Sequence, residues 1–426
     1  LPGAGSGLGG AQPTWTGTGL PEEVNVAMYP PPQVVFVNPS TIPIHLYHNQ
    51  LPALPGTEKA CLLLARELST QRPGEVHYVG NVESGQWSGV LLHPLADLPR
   101  VLALTAPAPV VWVRTYGWEA RSRRKHERTH VLWSGDAVED LLALGHRDEI
   151  IGRVDHPDSL FAGYDRAVLV SDWQRRQWLR ELTTSPPLTR IYNLTDDPNV
   201  SVTRKPAAVT TVVNTSHPRK SLGLFCQVAR AVRAMDDGFR FVTTSSPRLY
   251  DGDENEPVYV PVDQGGLANI GSFAQVRERY GDVVAFREPQ HSDDLAWMLS
   301  EADIFLHPDA SVETGSMALI EAMKCGVVPV VSRVGALPEL CGSQGLVVPG
   351  TPGERRFLVN VVNAVLRANG RGVDKADVLA RFGMDVIVSQ WVQLLNEYKA
   401  ASGSHRPPPE GVARVRSECP SYDSKT

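Results

Sequence analysis

Two glutamates, Glu313 and Glu321, stand in the segment His307-Pro-Asp-Ala-Ser-Val-Glu313-Thr-Gly315-Ser316-Met-Ala-Leu-Ile-Glu321-Ala-Met-Lys-Cys-Gly326-Val-Val-Pro-Val-Val-Ser332. An apolar strand leads in, a loop turns, a helix begins near Ser316, and a second apolar strand follows. Gly315 permits close backbone approach and Ser316 can cap the helix, so the free N–H groups there form a site for a diphosphate. Glu313 falls in the loop and Glu321 inside the helix, roughly 7 Å further along the axis. At that separation they can serve different ends of one elongated ligand, and neither is expected to bind the phosphates.

Cations are found at a second junction, Val212-Val-Asn214-Thr-Ser216-His-Pro-Arg219-Lys220-Ser-Leu222, where a strand again meets a helix. Two adjacent positive charges can neutralise a diphosphate leaving group. One basic cluster stands apart, comprising Arg114, Arg121, Arg123, Arg124, Lys125, Arg128 and His130. It reads either as a solvated face or as a surface for an anionic acceptor or an anionic membrane. Two motifs lack their context. Gly5-Ser-Gly7-Leu-Gly9-Gly10 fits G-x-G-x-x-G, but no strand precedes it. Asp251-Gly-Asp253 begins like a calcium loop, yet Glu256 occupies the required glycine, so it reads as a solvated insertion.

Together these segments resemble the family 4 retaining nucleotide-sugar glycosyltransferases of the GT-B fold. The E-x7-E spacing matches, as does Gly326-Val-Val-Pro-Val-Val after it. Gly335-Ala336-Leu337-Pro338-Glu339 is similar to that family's G-x-x-P-E element. The resemblance covers roughly Val34 to Lys399 and is tightest from Val212 to Glu339. It implies a sugar moved from a nucleoside-diphosphate sugar with retention of anomeric configuration. It also implies no metal and no cofactor beyond that co-substrate. Lys220, Arg219 and Glu313 would be catalytic. Gly56, Asn214, Gly315, Ser316, Met317 and Glu321 would bind the donor, with Glu321 on the ribose hydroxyls and Glu313 on the sugar. Pro55-Gly56-Thr57-Glu58 looks like the family's glycine-rich loop, and Asp136 with Arg114 would face the acceptor. Leu132-Trp133-Ser134-Gly135-Asp136 resembles a W-x-H-D element with Gly135 where histidine would stand, and Asn193 matches an N-G-x-D whose glycine is here Leu194. Other readings are a glycosidase pair, a nucleotide-sugar epimerase of similar fold, and a nucleotide-sugar binding protein without catalysis. The acceptor would be a small molecule, a glycan or a lipid-linked sugar.

Positioning these residues takes two α/β domains, as expected for 426 residues. Val34 to Val37, Val76 to Val79, Val110 to Val113, Val131 to Trp133 and Ala167 to Val170 read as strands of the first domain. Helices are expected over Thr57 to Ser69 and Trp173 to Leu182. A second alternation follows: Thr210 to Asn214, a helix Leu222 to Ala234, Phe239 to Thr243, a helix to Ser300 capped by Ser292, Ile304 to His307, a helix Leu319 to Met323 and Val327 to Val331. The division is 34–196, a linker at 197–206, 207–383, and a helix 384–400 that by the same resemblance returns to the first domain, with tails at 1–33 and 401–426. The site should lie between the domains, at the carboxyl ends of parallel strands.

Charged residues at 21% and a net charge of −6 give no pull toward nucleic acid. Cys61, Cys226, Cys325, Cys341 and Cys419 show neither a zinc spacing nor a disulfide framework. That favours a reducing, cytoplasmic setting over the secretory one in which Asn193, Asn199 and Asn214 would be glycosylation acceptors. No stretch is expected to reach the roughly 18 to 20 apolar residues of a membrane span.

Overall fold

The computed structural model describes residues 33–46, 51–116, 128–143, 161, 163–181, 185–198, 209–263 and 266–402. The first-domain strands are β1 (Val34–Asn38), β2 (Val76–Gly80), β3 (Gly85–Trp87), β4 (Val90–Pro94), β5 (Val110–Val113), β6 (His130–Ser134), β7 (Arg166–Leu169) and β8 (Leu188–Arg190). They form one sheet in the order β3-β4-β2-β1-β5-β6-β7-β8, parallel except for the β3–β4 hairpin. All residues of β1, β5 and β6 are buried. Such unbroken apolar runs suit strands covered on both faces. The covering helices are α1 (Gly56–Gln71), α2 (Leu98–Leu104), α3 (Val138–Ala143) and α4 (Asp172–Glu181).

A second sheet joins β9 (Thr210–Asn214), β10 (Phe239–Thr243), β13 (Val284–Phe286), β14 (Ile304–His307), β15 (Val328–Ser332) and β16 (Leu346–Val348) in the all-parallel order β13-β10-β9-β14-β15-β16. The strands β11 (Pro257–Val262) and β12 (Gly266–Ser272) form a separate hairpin beside the exposed Asp251 and Asp253. The helices here are α5 (Gly223–Met235), α6 (Phe273–Tyr280), α7 (Ser292–Ser300), α8 (Met317–Lys324), α9 (Leu337–Cys341), α10 (Arg355–Ala368) and α11 (Lys375–Phe382). A last helix, α12 (Met384–Ser402), turns back: Trp391 is fully buried with its ring 5.0 Å from that of Trp133 on β6. One apolar cluster therefore runs through both domains, holding Val111 and Trp133 together with Ile320, Val331 and Trp391.

Several sequence expectations need correction. Ser292 does not cap α7; His291 takes that position, Ser292 is the first helical residue, and among the described residues its hydroxyl has no partner. The basic cluster is not one solvated face. Arg128 is buried and donates to the carbonyl of Leu102, and His130 is buried in β6, where Trp112 Nε1 donates to its Nδ1 at 3.0 Å. Arg121, Arg123, Arg124 and Lys125 lie outside the described residues, as do Asn199, most of the linker, Cys419 and nearly all of both tails. Asn214 is fully buried and so is no glycan acceptor in this fold. One span, Lys375–Glu397, is long and apolar enough to cross a membrane by composition. Here it is two helices, α11 and α12, whose Phe382, Ile387, Trp391 and Leu395 belong to the core.

Candidate active site

The two sheets face each other across a cleft of about 490 Å³ at the carboxyl ends of their parallel strands. On the second-domain side β14 ends at His307 and the chain loops to α8. Gly335, at φ +57°, lies so close beneath that loop that a Cβ there would stand 2.2 Å from the Glu313 carbonyl oxygen. The neighbouring Ala336 N–H donates to that oxygen at 2.6 Å, fixing the Glu313 backbone. Gly315 meets the other domain: a Cβ would fall 2.6 Å from Val170, and Asn193 Nδ2 donates to the Gly315 carbonyl at 2.8 Å. Ser316 then caps α8, its hydroxyl accepting from the Leu319 N–H at 3.3 Å. Opposite stands the start of α1, where a Cβ on Gly56 would be 3.3 Å from Met317 Sδ. Two helix N-termini thus converge on one cleft, each leaving backbone N–H groups for an anion.

Lys220 sits in a π-turn, Pro218–Leu222, that leads into α5. Its ammonium is 2.7 Å from Glu313 Oε2. Burial pushes the Lys220 pKa down, but the Glu313 and Asp309 carboxylates outweigh it and hold the group above the ordinary lysine value. Burial likewise pushes Asp309 up, and the His307 ring, the Lys220 charge and the Ser311 N–H together bring its carboxyl below the usual range. His307, Asp309 and Glu313 place three metal-capable atoms within 4.8 Å of one another, and the Lys220 ammonium supplies positive charge there. The His217 ring lies tilted 4.1 Å from that of Tyr250 and is lowered to about 4 by burial and by Lys220 and Arg219, so it is neutral at pH 7.

Glu321 is held by a residue the sequence reading passed over. Lys59, on α1, reaches across the domain boundary to Glu321 Oε1 at 2.6 Å and to Asp196 at 3.9 Å. Burial lowers the Lys59 pKa, and the two carboxylates more than compensate. On the first-domain wall Arg114 grips Asp136 bidentately, at 2.5 and 3.0 Å, and Tyr116 donates to the same carboxylate at 2.7 Å. At Gly135, where the resembling element carries histidine, a Cβ would meet nothing within 4 Å.

Gly56, Arg114, Asp136, Lys220, Glu313, Gly315, Ser316, Met317 and Glu321 all line this one cleft. Two expected members do not. Arg219 turns outward to Glu256 at 3.2 Å, because the π-turn sends neighbouring side chains to different sides. Asn214 lies under the site, donating to Ser221 Oγ at 3.0 Å and to the Leu306 carbonyl at 2.9 Å, with no access to a ligand. Lys59 was missed, and Glu58 was named only as the last residue of the glycine-rich loop and given no role; their sequence signal was a place in the first turn after Gly56.

Comparison with known proteins follows the same division. Residues 208–367 match the family model described as glycosyl transferases group 1. Among solved structures, HepE from Anabaena in complex with UDP and glucose aligns at 16% identity and TM-score 0.60, covering 85% of this chain and 99% of that one. Sucrose-phosphate synthase from Thermosynechococcus elongatus aligns at 15% and 0.61, covering 86% and 99%. An α,α-trehalose-phosphate synthase from Burkholderia vietnamiensis aligns at 11% and 0.61, covering 87% and 100%. The chain has the GT-B fold. No curated protein sequence matches it. Within the GT-B frame, the family match covers the domain bearing Lys220, Glu313 and Glu321, while Lys59, Arg114 and Asp136 lie outside the matched span.

Proposed function

We propose that this chain transfers a sugar from a nucleoside-diphosphate sugar to an acceptor hydroxyl with retention of anomeric configuration. The observation that carries the reading is the convergence of the α1 and α8 N-termini with Lys220 on one cleft. An anion bound there meets two sets of free N–H groups and one ammonium. Glu321 would take the ribose hydroxyls once Lys59 yields one of its oxygens, and Glu313 the hydroxyls of the sugar. Lys220 would stabilise charge on the departing diphosphate. Gly135 brings no imidazole to the cleft, and the proton of the attacking hydroxyl would pass to the departing diphosphate on the same face. Solved GT-B relatives carrying UDP, or UDP with glucose, lend support to a nucleotide-sugar donor.

The test of stereochemistry is the anomeric coupling constant of the first-formed product, read by proton NMR with an α-linked donor. An α product is expected, and a β product would refute retention. The same open space at Gly135 also suits a second reading, nucleotide-sugar binding without transfer. That reading would show as tight nucleotide binding with no nucleotide release on adding any acceptor.

A further inference from the structure

Glu58 is the third residue of α1 and lines the cleft, yet it is only 6% exposed. Among the described residues its carboxylate has no hydrogen-bond or ion-pair partner. A glutamate at that helical position ordinarily returns to the N–H of the capping residue. Here the cap is Pro55, which has no N–H to offer, so the carboxylate is released from its own helix. The carboxylate opens on the cleft, where a ligand group that donates to it can supply the partner its own helix does not.

Its surroundings restrict that ligand. The first-domain wall adds Asp136 and Asp140 to Glu58 against one arginine, Arg114, already paired with Asp136. Lys59 is turned to Glu321 and Lys220 to Glu313. Among the described residues no unpaired cation faces this wall, and a phosphate or carboxylate on the acceptor would meet the negative charge of Glu58, Asp136 and Asp140 there. Ile42, Leu54, Val113 and Trp133 supply the apolar remainder. A ring with a C–H face and a rim of hydroxyls matches both features, the face on the apolar side chains and a hydroxyl donating to the carboxylate.

We propose that Glu58 anchors a neutral, polyhydroxylated acceptor, a sugar or polyol, and excludes its phosphorylated counterpart. The assignment rests on the reading of the cleft as a nucleotide-sugar transfer site. In the transfer itself the attacking hydroxyl oxygen bonds to the anomeric carbon, the bond from that carbon to the diphosphate breaks, and the proton leaves with the diphosphate. Glu58 holds a different hydroxyl and exchanges no proton.

The test compares wild-type protein with Glu58→Gln, using UDP as the donor-site probe and UDP-glucose as donor. The acceptor pairs are glucose with glucose 6-phosphate, mannose with mannose 6-phosphate, and myo-inositol with its 1-phosphate. UDP is expected to bind both proteins within about twofold, which also reports an intact fold. A neutral member of at least one pair should be used at least about tenfold better in kcat/KM than its phosphorylated partner. Glu58→Gln should raise the KM for that neutral acceptor by about tenfold or more, leave kcat within about threefold, and narrow the discrimination against phosphate. Preference for a phosphorylated member, use of no neutral member, or wild-type acceptor kinetics in Glu58→Gln would each overturn the proposal. Failure of wild-type protein to bind UDP, and GDP and ADP in its place, would overturn the donor-site reading as well, whereas UDP binding with a failed acceptor panel overturns only the role of Glu58.

Discussion

At the scale of single residues, the cleft's cations Lys59, Arg114 and Lys220 are each held by a carboxylate until a ligand arrives. Lys59 with Glu321 is the tightest case, because both side chains are largely buried. Replacing Lys59 by Met would strand a buried carboxylate and should cost about 3 kcal/mol, read as a fall in the urea midpoint with unchanged slope. The histidines act differently. His77 and His217 are both lowered to about 4, chiefly by burial. The unfolded chain, with histidine near about 6.5, then binds more protons than the native one between those values. Their contribution is complete above pH 6.5 and is lost as pH falls toward 4. Urea midpoints should therefore decline over that window, and replacing either histidine by Asn should flatten the decline. Glu313, Ser316 and Glu321 were legible in the sequence because their geometry is local: one loop and one helix turn place them. Glu58 and Lys59 were not, because Lys59 finds its partner 262 residues away. Arg219 and Lys220 could not be told apart either, since adjacent cations look alike until a π-turn decides which one faces the cleft.

Among elements, one contact between the domains is a helix cap supplied from outside the helix. Glu339 accepts from the backbone N–H groups of Asp172 and Trp173, at 2.8 and 2.6 Å, at the first turn of α4. Tyr192 adds a hydroxyl to the same carboxylate at 3.2 Å. Glu339 belongs to the second domain and α4 to the first, so one side chain both caps the start of a helix and ties the two domains together. Its loss in Glu339→Ala should cost about 1 to 2 kcal/mol and raise the donor KM more than it lowers kcat, measured by urea unfolding and steady-state kinetics. The G-x-x-P-E pattern was visible in the sequence, but a cap on a helix 167 residues away was not. Valine-rich central strands were read well because burial on both faces leaves a continuous apolar run. The β3–β4 hairpin and β8 were missed: they are short, and Gly85 and Gln86 in β3 are exposed, leaving no periodic signal.

For the molecule as a whole, the last helix makes one cooperative body of two domains. Trp391 is fully buried against Trp133, Glu397 lies 3.8 Å from Arg166, and the Met384 N–H donates to Asp197 at 2.9 Å. Because one apolar cluster spans both sheets, Trp391→Ala should cost about 3 to 5 kcal/mol and lower the Tm of a single calorimetric transition. Two separate transitions in the wild-type protein would contradict that picture. The return of this helix was expected from the family resemblance alone, and its partner on the first domain was not legible in the sequence.

The central claim concerns the cleft between the α1 and α8 N-termini, where Lys220 faces a departing diphosphate. The measurement that meets it most directly is release of nucleoside diphosphate from a panel of nucleotide sugars, with and without acceptors, by wild-type protein and by Lys220→Ala. Acceptor-dependent release by the wild type is expected, with the variant slowed well over tenfold in kcat while keeping the wild-type melting profile to within a few degrees, on the order of what losing one partly exposed ammonium allows. Near-normal turnover in a folded Lys220→Ala protein, or no release from any nucleotide sugar by the wild type, would contradict it.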